Sequence, residues 1–255
     1  MRTDRSEQTK PRYGFPDTVR GILILGMIAY HTLFDIAVVY GIGMDTPLMR
    51  GANVLRDVGA ACFVFLSGFC FHFGRRNVRK GLILLGAGFI VTAATYLFDR
   101  ESAVIFGVLT FLGTAKLLLC ALERPFRYIP PVIGAAVSFF LFLLFFRCNF
   151  GYAGFGGATL FRWPSFLYRD HFTAFFGFPG TGFASGDYFG LLPWFFISCC
   201  GWFTYRVVKP KQRFARVMAA RVPLLDNVGR YSLWIYLIHQ PMIYSFILAT
   251  KKWFL

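Results

Sequence analysis

The chain has 255 residues, of which 56% are hydrophobic, 20% are aromatic and only 15% are charged. Soluble domains contain about 25% charged residues, and one core has no room for this much apolar surface. The hydrophobicity also excludes an intrinsically disordered chain. The net charge of +15 is spread between apolar blocks, which argues against a nucleic-acid-binding protein. We therefore predict an all-α, polytopic transmembrane helix bundle that binds no nucleic acid.

Seven apolar blocks, each near the roughly 20 residues that cross a hydrocarbon core, follow one another along the chain. The predicted spans are residues 21–40, 52–74, 81–98, 103–122, 129–147, 187–206 and 229–250. The polar segment before the first block does not resemble a cleavable signal peptide, so we expect the first helix to be retained. The predicted organisation is a cytoplasmic tail (1–15) followed by one transmembrane domain (16–250).

The distribution of Lys and Arg predicts the orientation, because cytoplasmic loops carry the excess of positive residues. Of the 27 Lys and Arg residues, eighteen fall on one predicted side, eight on the other, and Lys116 lies inside a block. We predict a cytoplasmic N-terminus, an external C-terminus and an external position for the long connection 148–186. This connection is rich in aromatic residues, and we expect a short interfacial helix over residues 165–176.

Small residues inside the apolar blocks are predicted to serve helix packing. The six cysteines contain no Cys-x-x-Cys pair, so the sequence supports no metal or redox site, and we expect small apolar packing residues. Ser67 and Gly68 in the second block predict a close approach of two helices.

Ionisable residues at membrane depth are costly, so each is a candidate for function. Arg20 marks the predicted inner interface, and His31 lies eleven residues later, about 16 Å further along a helix. Asp35 follows by four residues and shares the face of His31, where a carboxylate can orient the imidazole and help it to accept a proton. We predict His31 and Asp35 as catalytic residues. The alternative is a histidine that bonds a neighbouring helix.

The last block places His239 and Gln240 directly before Pro241. Proline frees a backbone carbonyl in the preceding turn, so a stabilised kink and direct chemistry are both open. Lys116 in the fourth block either binds an anionic ligand or pairs with a carboxylate.

The outer ends of two blocks carry further polar residues. Arg56 is predicted to open the second block, and Asp187 and Tyr188 to open the sixth. Together with Asp35 they can surround an external cavity, with Trp194 as part of an aromatic wall for a sugar. The alternative is that Arg56 only neutralises the charge of Asp35 or Asp187.

Five motifs occur in order over residues 16–245. They are Asp17-Thr-Val-Arg20-Gly21, Met27-Ile-Ala-Tyr-His31 followed by Asp35, Phe65-Leu-Ser-Gly68, Asp187-Tyr-Phe-Gly-Leu-Leu-Pro-Trp194 and Gly229-Arg-Tyr-Ser-Leu-Trp-Ile-Tyr-Leu-Ile-His-Gln-Pro241. This pattern resembles the small bacterial members of the heparan-α-glucosaminide N-acetyltransferase catalytic-domain family. The resemblance implies transfer of an acyl group, typically acetyl from acetyl-CoA, to an amine or hydroxyl of a sugar. It also implies that His31 is catalytic, and it places Thr110 where many members have a histidine.

The leading hypothesis is thus a multi-pass acyltransferase of the cell membrane, specifically a bacterial cytoplasmic membrane. Its partners are expected to be membrane lipid, the acyl donor and a sugar or glycan acceptor, and a homodimer is left open. The residues expected to bind cytosolic acetyl-CoA are Arg20, Lys116, His239 and Gln240. Those expected to bind the acceptor are Asp187, Tyr188, Trp194 and Arg56. The rival hypotheses are a small transporter or channel with a polar path and an assembly subunit.

Overall fold

The computed structural model describes residues 13–43, 45–98, 100, 103–155, 158–211 and 213–254, with no side-chain description for 252–254. Most of the predicted cytoplasmic tail (1–15) lies outside these residues. The helices in the described part of the chain are α1 (Gly14–Val39), α2 (Pro47–Phe69), α3 (Asn77–Phe98), α4 (Val108–Phe126), α5 (Pro131–Phe145), α6 (His171–Phe176), α7 (Leu191–Val208), α8 (Phe214–Ala219), α9 (Pro223–Arg230) and α10 (Ser232–Phe254).

The prediction of a polytopic helical protein is confirmed. Six helices within the described residues are long and apolar enough to cross a membrane: Gly14–Val39, Pro47–Phe73, Asn77–Phe98, Pro131–Phe150, Leu191–Val208 and Ser232–Lys251. Large apolar side chains on them face outward, and Ile90 is 70% exposed, as expected for a surface covered by lipid. The fourth predicted span is helix α4, which carries Lys116, Glu123 and Arg124 and is not among the six. The sidedness of the termini stays a prediction.

The second helix begins earlier than its apolar block. The hydroxyl of Thr46 accepts a hydrogen bond from the backbone N–H of Met49 at 3.3 Å, and Pro47 is the first helical residue. A capping Thr followed by Pro is a strong start signal because the Pro lacks an N–H that would otherwise need a partner. Arg56, predicted to open the span, therefore lies well inside α2.

The fourth helix begins later than its block, because residues 103–106 are not helical and Phe106 has a positive φ of 55°. Ser185 accepts from the N–H of Ile105 at 3.0 Å and donates to its carbonyl at 2.9 Å. The N–H of Phe189 donates to the Phe106 carbonyl at 2.9 Å. Hydrophobicity alone does not distinguish a short non-helical apolar segment from the start of a helix.

The long connection departs from the all-α prediction. Strands β1 (Tyr152–Phe155) and β2 (Ala158–Arg162) form a two-stranded antiparallel hairpin. The helix predicted over 165–176 consists of a 3₁₀ helix (Ser165–Tyr168) and α6. Asp170 separates them, since its carboxylate accepts from the Thr173 N–H at 2.9 Å and caps α6.

The chain divides into two compact units. We call residues 57–210 the central unit, and residues up to 56 together with those from 211 onward the terminal unit. The single transmembrane domain (16–250) expected from the sequence stays a prediction.

In the terminal unit, α1 and α9 touch through their backbones. A Cβ at Gly21 would lie 2.1 Å from the Leu225 carbonyl oxygen, and a Cβ at Gly229 would lie 1.8 Å from that of Asp17. The hydroxyl of Thr18 accepts from the Val222 N–H at 3.1 Å just before α9. These contacts hold the first part of α1 against the segment that leads into α10.

In the central unit, the predicted close approach at Gly68 is confirmed. A Cβ there would lie 1.9 Å from the Ser198 carbonyl oxygen of α7. A buried cluster of apolar side chains supports this contact, and its members are Phe71, Leu119, Cys199, Trp202 and Phe203. The six cysteines are free thiols.

Candidate functional site

Helices α1 and α10 of the terminal unit bring together two pairs of polar side chains. The imidazole rings of His31 and His239 lie with their centroids 5.1 Å apart and their planes at 58°. Asp35, one turn after His31 in α1, meets Gln240, the residue that follows His239 in α10. Four of the residues predicted for the site thus form one cluster, although the sequence separates its two halves by about 200 positions.

The carboxylate of Asp35 is held by the amide of Gln240. Asp35 is 5% exposed, and Gln240 Nε2 donates to its Oδ2 at 2.9 Å and its Oδ1 at 3.2 Å. The sequence pattern pointed to the His31 ring as the partner of this carboxylate. The hydrogen bonds described for it lead instead to α10, so Asp35 also links the two helices.

The backbone fixes the tautomer of His239. Its Nδ1 lies 2.7 Å from the Tyr236 carbonyl oxygen, one turn earlier in α10. A carbonyl only accepts hydrogen bonds, so Nδ1 carries the proton. In the neutral ring, Nε2 is then the nitrogen with the lone pair. His239, which is nearly buried, therefore contributes a proton-accepting nitrogen to the cluster.

A second polar group approaches His31 through Tyr30. The rings of these two residues lie 5.5 Å apart. The Tyr30 hydroxyl donates to Asn53 Oδ1 at 2.9 Å and accepts from Arg56 Nη1 at 2.9 Å. The Arg56 guanidinium also lies over the Tyr30 ring, at 5.3 Å from its centroid. The first turns of α2 thus place a positive charge one side chain away from His31.

Arg20 lies on the same face of α1 as His31, about three turns earlier. Its guanidinium contacts the carboxylate of Asp17 at 2.6 Å. Asp17 is buried, and the side chain of Arg20 is 24% exposed. The arginine is therefore positioned by the α1 helix itself, with part of its side chain accessible to a ligand.

Lys116, the remaining residue predicted to bind acetyl-CoA, lies in the central unit. Its ammonium group lies 5.8 Å from the centroid of the Phe71 ring, a cation–π contact.

In the central unit, the residues predicted to bind the sugar acceptor make contacts within the protein itself. Asp187 Oδ2 accepts from the Val108 N–H at 3.1 Å, so it caps the start of α4. The Tyr188 hydroxyl donates to the Ala174 carbonyl, and burial raises the pKa of this tyrosine. Trp194 packs against Phe189, with ring centroids 4.7 Å apart. Their binding roles stay predictions.

Sequence reasoning missed Tyr30, which links Arg56 to His31 through a hydrogen bond and a ring contact, and Asn53, which accepts a hydrogen bond from Tyr30. Tyr30 precedes His31 within one of the quoted motifs, which was an available signal. Asn53 and Arg56 are three residues apart and therefore share a face of α2. Among the described residues, no group of three or more His, Cys, Asp or Glu side chains is arranged to hold a metal ion.

A family model for the catalytic region of heparan-alpha-glucosaminide N-acetyltransferase matches residues 12–241. This range contains every residue of the α1–α10 cluster. Searches of curated proteins and of solved structures found none that matches the chain. The family match covers most of the chain and confirms the resemblance that the five motifs indicated. The chain therefore belongs to the heparan-alpha-glucosaminide N-acetyltransferase catalytic family, a family of membrane acetyltransferases.

Proposed function

We propose that the protein is an integral membrane acyltransferase. It moves an acyl group, typically acetyl, from cytosolic acyl-CoA to an amine or hydroxyl of an extracytoplasmic sugar or glycan. The observation that carries the proposal is the cluster of two imidazoles and a buried carboxylate on α1 and α10, in a chain of an acetyltransferase family. Such groups are costly inside a membrane helix and are usually retained for function.

The donor is proposed to bind along α1. Arginine suits phosphate because its planar guanidinium donates two parallel hydrogen bonds. With the phosphates of acetyl-CoA at Arg20, the thioester must extend about 16 Å to reach His31. The long, flexible arm of coenzyme A suits this distance. The basic loops of the predicted cytoplasmic side supply further positive charge.

His31 is the proposed catalytic residue, by one of two routes. As a general base, it takes a proton from the acceptor N–H or O–H while the acceptor atom attacks the thioester carbonyl carbon. The C–S bond breaks, and the coenzyme A thiolate receives that proton. As a nucleophile, a His31 nitrogen attacks the thioester carbonyl carbon and the C–S bond breaks, which releases the coenzyme A thiolate. The acceptor atom then attacks the acyl-imidazole, the bond to His31 breaks, and the acceptor proton passes to the thiolate. In both routes the negative charge of Asp35 stabilises the positive charge that develops on the imidazole.

Arg56 is one of the residues proposed to bind the sugar acceptor. It donates a hydrogen bond to Tyr30, whose ring lies beside that of His31. Asp187, Tyr188 and Trp194 complete the proposed acceptor side, and Lys116 is the proposed donor ligand of the central unit.

The test is transfer of labelled acetyl from acetyl-CoA to a panel of amino sugars and membrane glycans. His31→Ala should abolish transfer and leave a folded, membrane-inserted protein. His171→Ala is the matched control, because His171 begins α6 in the long connection and should retain activity. Full activity of His31→Ala would refute the proposal.

A transporter or channel is the rival from another class. Acyl-CoA at about 100 times its dissociation constant should stabilise an enzyme that binds it by roughly 2.7 kcal/mol, whereas a transporter without a coenzyme A site should show no thermal shift. For an assembly subunit, alanine at the buried charges should change stability alone.

A further inference from the structure

We infer that His239 is a positioning residue that acts through His31, by accepting the hydrogen bond of the His31 ring N–H. This inference rests on the proposed function and changes the role of His239 from donor binding to control of the catalytic imidazole. Three features of the cluster support it: the separation of the rings, the tautomer of His239 and the way in which Asp35 is held.

The separation of the rings suits a direct contact. A hydrogen bond between ring nitrogens is about 2.9 Å long, and two imidazoles joined in this way have centroids roughly 5 Å apart. The centroids of His31 and His239 are 5.1 Å apart. Alignment of a His31 nitrogen with Nε2 of His239 therefore requires no approach of the helices.

The tautomer of His239 provides what His31 needs. A neutral imidazole has one N–H and one lone pair, and His31 must present its lone pair to the proton of the acceptor. Its N–H then points elsewhere and needs an acceptor. Because Nδ1 of His239 donates to the Tyr236 carbonyl at 2.7 Å, Nε2 of that ring is an acceptor. The bond to Tyr236 thus selects the tautomer that complements His31.

The hydrogen bond from His31 to His239 becomes stronger when His31 is protonated during the reaction. Once His31 has taken the acceptor proton it is an imidazolium, and its second N–H donates a charge-assisted hydrogen bond to His239 Nε2. The proton taken from the acceptor leaves His31 for the coenzyme A thiolate, and His239 keeps its own proton throughout. No oxidant, reductant or further reactant is needed.

Gln240 preserves the charge that this imidazolium requires. A neutral amide holds the Asp35 carboxylate through two contacts, whereas a lysine or arginine would cancel its charge. Other ionisable groups near the two rings include Tyr30, with Arg56 on its hydroxyl, and Tyr236. Among the groups named here, the carboxylate of Asp35, one turn from His31, is the one that carries a negative charge.

Two amide variants at position 239 separate the possible roles. His239→Gln places an amide near Nε2, and its oxygen can still accept from His31. His239→Asn places its amide near Nδ1, keeps the donor for Tyr236 and removes the acceptor. We expect kcat within about tenfold of wild type for H239Q and a loss on the order of 100-fold for H239N, which is the scale of acid–base contributions. The KM for acetyl-CoA should stay within about twofold in both, as expected when ground-state binding is unchanged.

The experiment is steady-state transfer by the purified full chain, with thermal unfolding of each variant as the check on folding. A raised KM for acetyl-CoA with unchanged kcat would restore the donor-binding role and overturn the inference. Equal kcat in both variants and wild type, or a loss that follows stability alone, would also overturn it. Absence of transfer by the wild type across the acceptor panel would instead refute the proposed function.

Discussion

The contact between α1 and α9 gives the sharpest prediction for stability. In Gly21→Ala the new methyl would lie 2.1 Å from the Leu225 carbonyl oxygen, 2.9 Å from its carbon and 3.2 Å from its Cα. These are backbone atoms, so no side-chain rotation relieves the clash. An ordinary contact begins near 3.4 Å, and the two backbones must therefore separate by about 1.3 Å. Overpacking of this kind costs about 1–3 kcal/mol.

Gly26→Ala is the matched control, because Gly26 lies in the same helix and a Cβ there meets no atom within 4 Å. Alanine is a better helix former than glycine by roughly 0.5–1 kcal/mol, so this variant should be at least as stable as wild type. The measurement is unfolding in one detergent, followed by circular dichroism. If Gly21→Ala proved as stable as Gly26→Ala, the described approach of α1 and α9 would be wrong.

Two further predictions concern a residue within the long connection, Tyr168, and one directly after it, Asp187. Asp187→Ala removes the cap of Val108 at the start of α4 and should lower the free energy of unfolding by about 1 kcal/mol; unchanged stability with a raised acceptor KM would contradict the capping role. Burial raises the pKa of Tyr168, whose hydroxyl donates to the Cys148 carbonyl, from 10.0 to about 12. The stability that it contributes should be complete below pH 10 and lost as the pH rises through about 12. Alkaline absorbance titration of wild type minus Tyr168→Phe checks this, and a difference centred near pH 10 would exclude the raised pKa.

Hydropathy predicted the long helices because lipid-facing and buried positions of a span are both apolar. It failed at residues 103–106, where an equally apolar run is not helical and forms hydrogen bonds with Ser185 and Phe189. It also placed the start of α2 too late, since a helix start depends on the capping Thr46 and not on the first apolar residue.

Helical spacing predicted that His31 and Asp35 share a face, because the angle between positions four apart is fixed within one helix. Spacing within a helix does not identify the helix opposite. For that reason the sequence identified His239 and Gln240 as polar residues of the last span without identifying His31 and Asp35 as their neighbours. The capping contact of Asp187 with Val108 was missed for a related reason, since sequence spacing does not show which distant helix start a carboxylate caps.

The bond between Asp35 and Gln240 joins positions 205 residues apart, and this separation has a consequence for biosynthesis. At about 5–20 residues per second, a ribosome needs roughly 10–40 s to make the intervening chain. During that time α1 is already available for insertion while α10 does not yet exist. Asp35 therefore waits for its amide partner, and the last long helix to enter the membrane completes the terminal unit and the cluster of imidazoles in the same step.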